Sequence, residues 1–218
     1  MIQLKLKGFQ KELIRLLKRD WRFFLWTSWF LILGIGIGLS LPKQNPIIST
    51  VTELILQKFE KMQHWFIHAP LVGKIAIIWV NNILASFGTI ALGILLLFPS
   101  IFILLENGIV LGIFQKIIGV QNGVAPIWFY LSLLPHGIFE IPALIIATAL
   151  GIRFGSIPLR LLYYEHKANG TPPLFKDFFK DLRCYAVLIV IMLVVAAILE
   201  VTVSPYLVKM FGTKLIRI

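Results

Sequence analysis

Residues 71–114 read LVGKIAIIWVNNILASFGTIALGILLLFPSIFILLENGIVLGIF, an apolar run whose only charges are Lys74 and Glu106. A helix rising about 1.5 Å per residue needs about 20 apolar residues to cross about 30 Å of hydrocarbon, so this run is too long for one ordinary span. Pro99 marks the division, because proline removes a backbone donor and disfavours helix in the residue before it. The pattern predicts one span near 71–97 and a shorter one near 101–118.

Outward from this run the same reading recurs near 21–41, 125–152 and 184–204. With 58% hydrophobic and 14% charged residues and a mean hydropathy of +0.88, a water-soluble globule is excluded. The expected fold is an all-α membrane protein: a bundle of about five transmembrane helices, one or more of them broken or kinked, with amphipathic interfacial helices. A single membrane domain over 21–205 is expected between a tail at 1–20 and a short basic tail at 206–218. The 21–41 segment is too long for a signal-peptide core and no small-x-small cleavage pattern follows it, so it is expected to remain as an anchor.

The formal net charge of +11 sits beside the apolar segments rather than on a separate basic module, which argues for orientation and against nucleic acid. In the tail, Lys5, Lys7, Lys11, Arg15, Lys18 and Arg19 interleave with Leu4, Leu6, Phe9, Leu13, Leu16 and Leu17, an interfacial-helix pattern. Lys and Arg gather again at 153–183, whereas 42–70 holds only Lys43, Lys58 and Lys61. The tail and the 153–183 connection are therefore assigned to the cytoplasm. That places Lys209, Lys214 and Arg217 outside, against the rule.

Within 42–70, Ile55, Phe59, Met62 and Phe66 suggest an amphipathic helix on the outer surface, ended by Pro70. Glu60, His64 and His68 fall four apart there, a spacing that presents three metal ligands or simply a solvated face. Cys184 is the sole cysteine, so neither an intrachain disulfide nor a thiolate cluster can form.

Polar groups at mid-span depth carry the functional expectation. Asn81 and Asn82, Asn107, and His136 with Glu140 fall in three different spans. Each such group is costly in hydrocarbon and normally faces protein or water. Pro135, Gly137 and Pro142 predict an interruption of the fourth span near His136 and Glu140, which would share a helical face. Small residues form rows: Gly34 and Gly38; Ala85, Thr89 and Gly93 after Asn81; Gly108 and Gly112; and Ala143, Ala147, Gly151 and Gly155. Such rows permit close helix approach within one chain or in a homo-oligomer.

The polar residues are explained by interhelical hydrogen bonds worth about 0.6–2 kcal/mol each, or by a midplane site for an ion or proton. Glu200, in the outer part of the fifth span, is read as facing a neighbour or the headgroups. No nucleophile or metal set accompanies His136 and Glu140, and G-x-x-x-x-G-K-[ST], H-E-x-x-H and G-x-S-x-G are missing. Neither an enzyme nor a cofactor is expected.

Residues 134–143, LPHGIFEIPA, followed by Ala147 and Gly151, resemble the stage II sporulation protein M family. Asn81-Asn82, Asn107-Gly108 and Gly112 resemble its other polar and glycine positions. The resemblance implies a multi-pass protein of the cytoplasmic membrane, N-terminus inside. It also implies a scaffold for a septal peptidoglycan-degrading complex during engulfment, with catalysis left to partners such as the stage II sporulation proteins D and P or other cell-wall hydrolases. The alternative expectation is a small permease or channel with a polar midplane site for an ion, proton or polar solute. Membrane lipid is a partner under either.

Overall fold

The computed structural model of the chain describes residues 2–42, 69–95, 97–121, 126–165 and 174–207, with isolated positions between 46 and 68. The elements are α1 (Ile2–Ser40), α2 (Leu71–Leu92), α3 (Phe98–Gln121), α4 (Pro126–Glu165) and α5 (Leu174–Thr202), with no strand among the described residues. All five are long and apolar enough to cross a membrane. Their outward residues, among them Trp26, Val72, Leu84, Phe98 and Phe102, are large, apolar and exposed, as lipid contact requires and water would not tolerate.

The amphipathic tail is not a separate interfacial element. It forms the first half of α1, and Leu16 is fully buried in a cluster with Ile157 of α4 and Phe178 and Tyr185 of α5. Leu13, Leu16 and Leu17 of the apolar stripe thus face protein. Most of the 42–70 segment expected to be helical, including Glu60 and His64 of the His/Glu spacing, lies outside the described residues; His68 is helical.

α1 and α3 run side by side in parallel on four glycines. Gly34 meets Gly108 and Gly38 meets Gly112 so closely that a Cβ on Gly34 would stand 3.0 Å from the Gly108 Cα, with the Leu105 carbonyl closer still. Without a hydrophobic drive between helices in lipid, this close backbone approach supplies the attraction through dispersion. At the far end Lys116 of α3 donates to the carbonyls of Leu39 (3.0 Å) and Leu41. A cation there satisfies orphan acceptors and complements the dipole at the α1 C-terminus.

The 71–121 run divides slightly earlier than Pro99 suggests. α2 ends at Leu92, Gly93–Leu95 turn, and Pro99 sits in the first turn of α3, where a missing N–H costs nothing. The Ser100 hydroxyl donates to the Thr89 carbonyl at 2.8 Å and locks the turn. A Cβ on Gly93 would strike the Gly151 backbone of α4, and one on Gly151 would strike Ser100 and the Thr89 carbonyl.

α4 stays helical through Pro135, Gly137, Pro142 and Pro158 and runs on to Glu165, past the 152 at which the pattern ends the fourth span. Each proline withholds one backbone bond without ending the helix, since neighbouring helices hold the segment in place. Ala143, Ala147, Gly151 and Gly155 are all buried. Ala143 and Ala147 pack with Ile189 and Leu193 of α5. In α2, Thr89 and Gly93 are buried but Ala85 is exposed, so the packing row begins only at Thr89.

One end of the bundle is tied by charge. Asp181 of α5 is reached by Arg19 of α1 at 2.8 Å and by Arg153 of α4 at 2.7 Å. The Tyr185 hydroxyl donates to Asp20 at 2.8 Å beside them. Asp181 is only 4% exposed, so its removal strands the Arg153 guanidinium, whereas Arg19 keeps its paired hydrogen bonds to Asp20. Asp181→Ala should cost about 3 kcal/mol, read as a lower unfolding midpoint in detergent. Glu12→Ala, which removes an exposed pair with Arg15, should leave the midpoint unchanged.

Candidate functional site

Above this charged end, all five helices surround a cavity of about 750 Å³. α1 contributes Leu31 and Ile35 to its wall, and the remaining helices bring the polar groups: Asn81 and Asn82 from α2, Asn107 from α3, Tyr130, His136 and Glu140 from α4, and Glu200 from α5. Counting about 1.5 Å per residue, Glu140 lies ~20 Å along α4 from Arg153, and Glu200 ~28 Å along α5 from Asp181. The site therefore sits well inside the bundle, towards the end opposite the charged layer.

Helical spacing explains the convergence. His136 and Glu140 are one turn apart on α4 and share a face. The buried Ala143 and Ala147 on the same helix draw α5 in and bring Glu200 alongside. One ligand atom each from His136, Glu140 and Glu200 lies within 4.8 Å of the others. Asn107 immediately precedes the helix-contact residue Gly108, and its amide donates to the Ile103 carbonyl at 2.8 Å, leaving its own oxygen available. Asn81 donates to Asn82 at 3.3 Å.

Enclosure is uneven. His136, Glu140, Glu200 and Asn82 are half-buried, whereas Asn81 and Asn107 are exposed at the mouth. Polar groups in such positions need water or a ligand, since acyl chains offer them no hydrogen bonds. Pro142 adds to this polarity, because it cannot donate to the carbonyl of Ile138, and both residues line the cavity.

Three participants escape a reading by span depth, the first being Tyr130, which lines the cavity and whose hydroxyl lies 3.4 Å from Gln115. Glu200 faces its neighbour α4 rather than the headgroups, and lines the cavity with Glu140. Ser204, one turn further on, is buried and lies 3.0 Å from His136 Nδ1. The signal available was Glu200 itself, an acid in the span that holds the most apolar 18-residue stretch of the five, with a mean hydropathy of 3.0. The small-residue rows also find their partners inside the chain: Gly34, Gly38, Gly93, Gly108, Gly112 and Gly151 all face another helix of the same molecule.

A family model described as stage II sporulation protein M matches residues 27–205. Two uncharacterized proteins of Methanocaldococcus jannaschii are similar. One is 26% identical over 197 residues, covering 89% of this chain and 86% of that protein. The other is 31% identical over 129 residues, covering 59% of this chain and 69% of that protein. No solved structure matches.

Proposed function

The chain belongs to the stage II sporulation protein M family, and within that family we propose that it is a small multi-pass permease or channel that binds an ion, proton or polar solute in its interior. The observation that carries this reading is the cavity of about 750 Å³ with polar side chains from four helices. Bundle cohesion alone does not call for it, because hydrogen-bonding polar groups used for packing face one another without enclosing space. Two acids and an imidazole in a membrane interior normally mark a substrate or ion pathway. The reading assigns no catalysis to the chain and places the N-terminus in the cytoplasm on the strength of its Lys and Arg distribution.

Flux into proteoliposomes tests it. Protein-dependent uptake of at least one ion or polar solute is expected, with or without a proton gradient, and Glu140→Gln should reduce it about tenfold or more while the protein remains folded. Absence of flux across a broad panel would contradict the proposal.

A second reading has support in the family's name: a membrane scaffold for a septal peptidoglycan-degrading complex during engulfment. It predicts co-purification of cell-wall hydrolases, such as the stage II sporulation proteins D and P, from native membranes. It also predicts that Glu140→Gln acts only through folding or assembly.

A further inference from the structure

We infer that His136 and Glu140 of α4, with Glu200 of α5, bind a divalent first-row transition-metal cation. As a statement about cargo this rests on the permeation reading; as a binding site it stands apart from it.

The geometry supplies three ligands from two packed helices, with one ligand atom from each residue lying within 4.8 Å of the others. Donors held about 2.0–2.2 Å from a metal stand about 3–4 Å from one another, so a small closure of these side chains suffices. His136 is already oriented for the role. The Ser204 hydroxyl stands 3.0 Å from His136 Nδ1 and holds the ring in place. When Nδ1 carries the proton of that hydrogen bond, Nε2 presents the lone pair a metal needs.

Charge points the same way. The cavity is lined by no Lys or Arg, and among the described residues neither carboxylate has a hydrogen bond or ion pair. Two carboxylates held this close in a medium of low dielectric repel each other, and a divalent cation between them converts that repulsion into attraction. The donor set also selects among cations. Carboxylates and an imidazole suit manganese, iron, cobalt or zinc. The imidazole disfavours magnesium and calcium, and the lack of a nearby thiol disfavours monovalent copper. Cys184 is ~24 Å away along α5 from Glu200. Amide oxygens of Asn81, Asn82 and Asn107 line the same cavity and offer further oxygen ligands on the way in.

Mn²⁺ titrated into the purified full-length protein, with free ion read by electron paramagnetic resonance, tests the site. One saturable Mn²⁺ per chain is expected, retained in a large excess of Mg²⁺. His136→Ala, Glu140→Gln and Glu200→Gln should each weaken binding about tenfold or more. Ser204→Ala, which leaves all three ligands in place, should weaken it about tenfold through loss of the imidazole's orientation. Glu12→Gln on the exposed tail should change nothing. The inference is overturned if no saturable Mn²⁺ binds, as a shared proton between the two carboxylates would produce. It is equally overturned if Mg²⁺ displaces Mn²⁺ at comparable concentration, or if folded Glu140→Gln and Glu200→Gln bind as tightly as the unsubstituted protein. Binding is read at equilibrium, separately from flux. A protein that binds Mn²⁺ yet moves no solute therefore removes the permeation reading alone, and flux of other solutes without Mn²⁺ binding removes the metal alone.

Discussion

Gly108→Leu is expected to abolish the folded protein, measured as loss of the monodisperse peak on size-exclusion chromatography after detergent extraction. A Cβ at position 108 would stand 3.0 Å from both the Gly34 Cα and the Ile35 nitrogen, with the Leu31 carbonyl nearer still. These atoms are backbone, so no side-chain rotation relieves the clash, and α1 and α3 must separate along their length. Overpacking in a well-fitted core already costs about 1–3 kcal/mol where side chains can yield; here the cost should exceed that range. Separation would also carry Leu31 and Ile35 away from Asn107, removing one wall of the cavity. Gly36→Leu and Gly88→Leu are the controls, since nothing lies within 4 Å of a Cβ at either position. Both should leave the peak intact, or sharpen it by relieving the helix of a glycine.

Hydropathy made the spans legible because the energetic demand of the bilayer is written residue by residue along the chain. The run around Pro99 resolves into two helices, and the Asn pair, Asn107, His136 and Glu140 fall at depths from which they reach one cavity. Pairwise packing is different, since a glycine row states that something approaches closely without stating what. Gly34 and Gly38 find Gly108 and Gly112, and Gly93 finds Gly151, through distances that one sequence does not encode. Ala85 looks like part of such a row, yet its face of α2 turns outward.

The ends of helices were similarly opaque. A helix that leaves the hydrocarbon becomes polar, as a loop does, so the continuation of α4 to Glu165 and the fusion of the tail into α1 carry no hydropathy signature. Arg19 and Arg153 were legible only as markers of sidedness, and their shared partner Asp181 emerges once α1, α4 and α5 are brought together. Glu200 was the costlier omission. Its position near the end of a span suggested a headgroup contact, but the inward turn of its face decides its role.

A water-filled interior reached by the side chains of several helices is measured directly by thiol accessibility. In a Cys184→Ala background, single cysteines at Asn82 and Asn107 would be compared with cysteines at Leu84 and Phe102, which face outward and are 67% and 65% exposed. A permanently charged, membrane-impermeant thiol reagent is disfavoured in hydrocarbon by about 2.5–3.5 kcal/mol if it behaves like a charged side chain, which lowers its local concentration roughly a hundredfold. Cysteines at 82 and 107 should therefore react with it far faster than those at 84 and 102, although Leu84 is more exposed than Asn82. Cavity positions that ignore the charged reagent yet react with a lipid-soluble maleimide would place these groups in lipid, and the proposed interior would not exist.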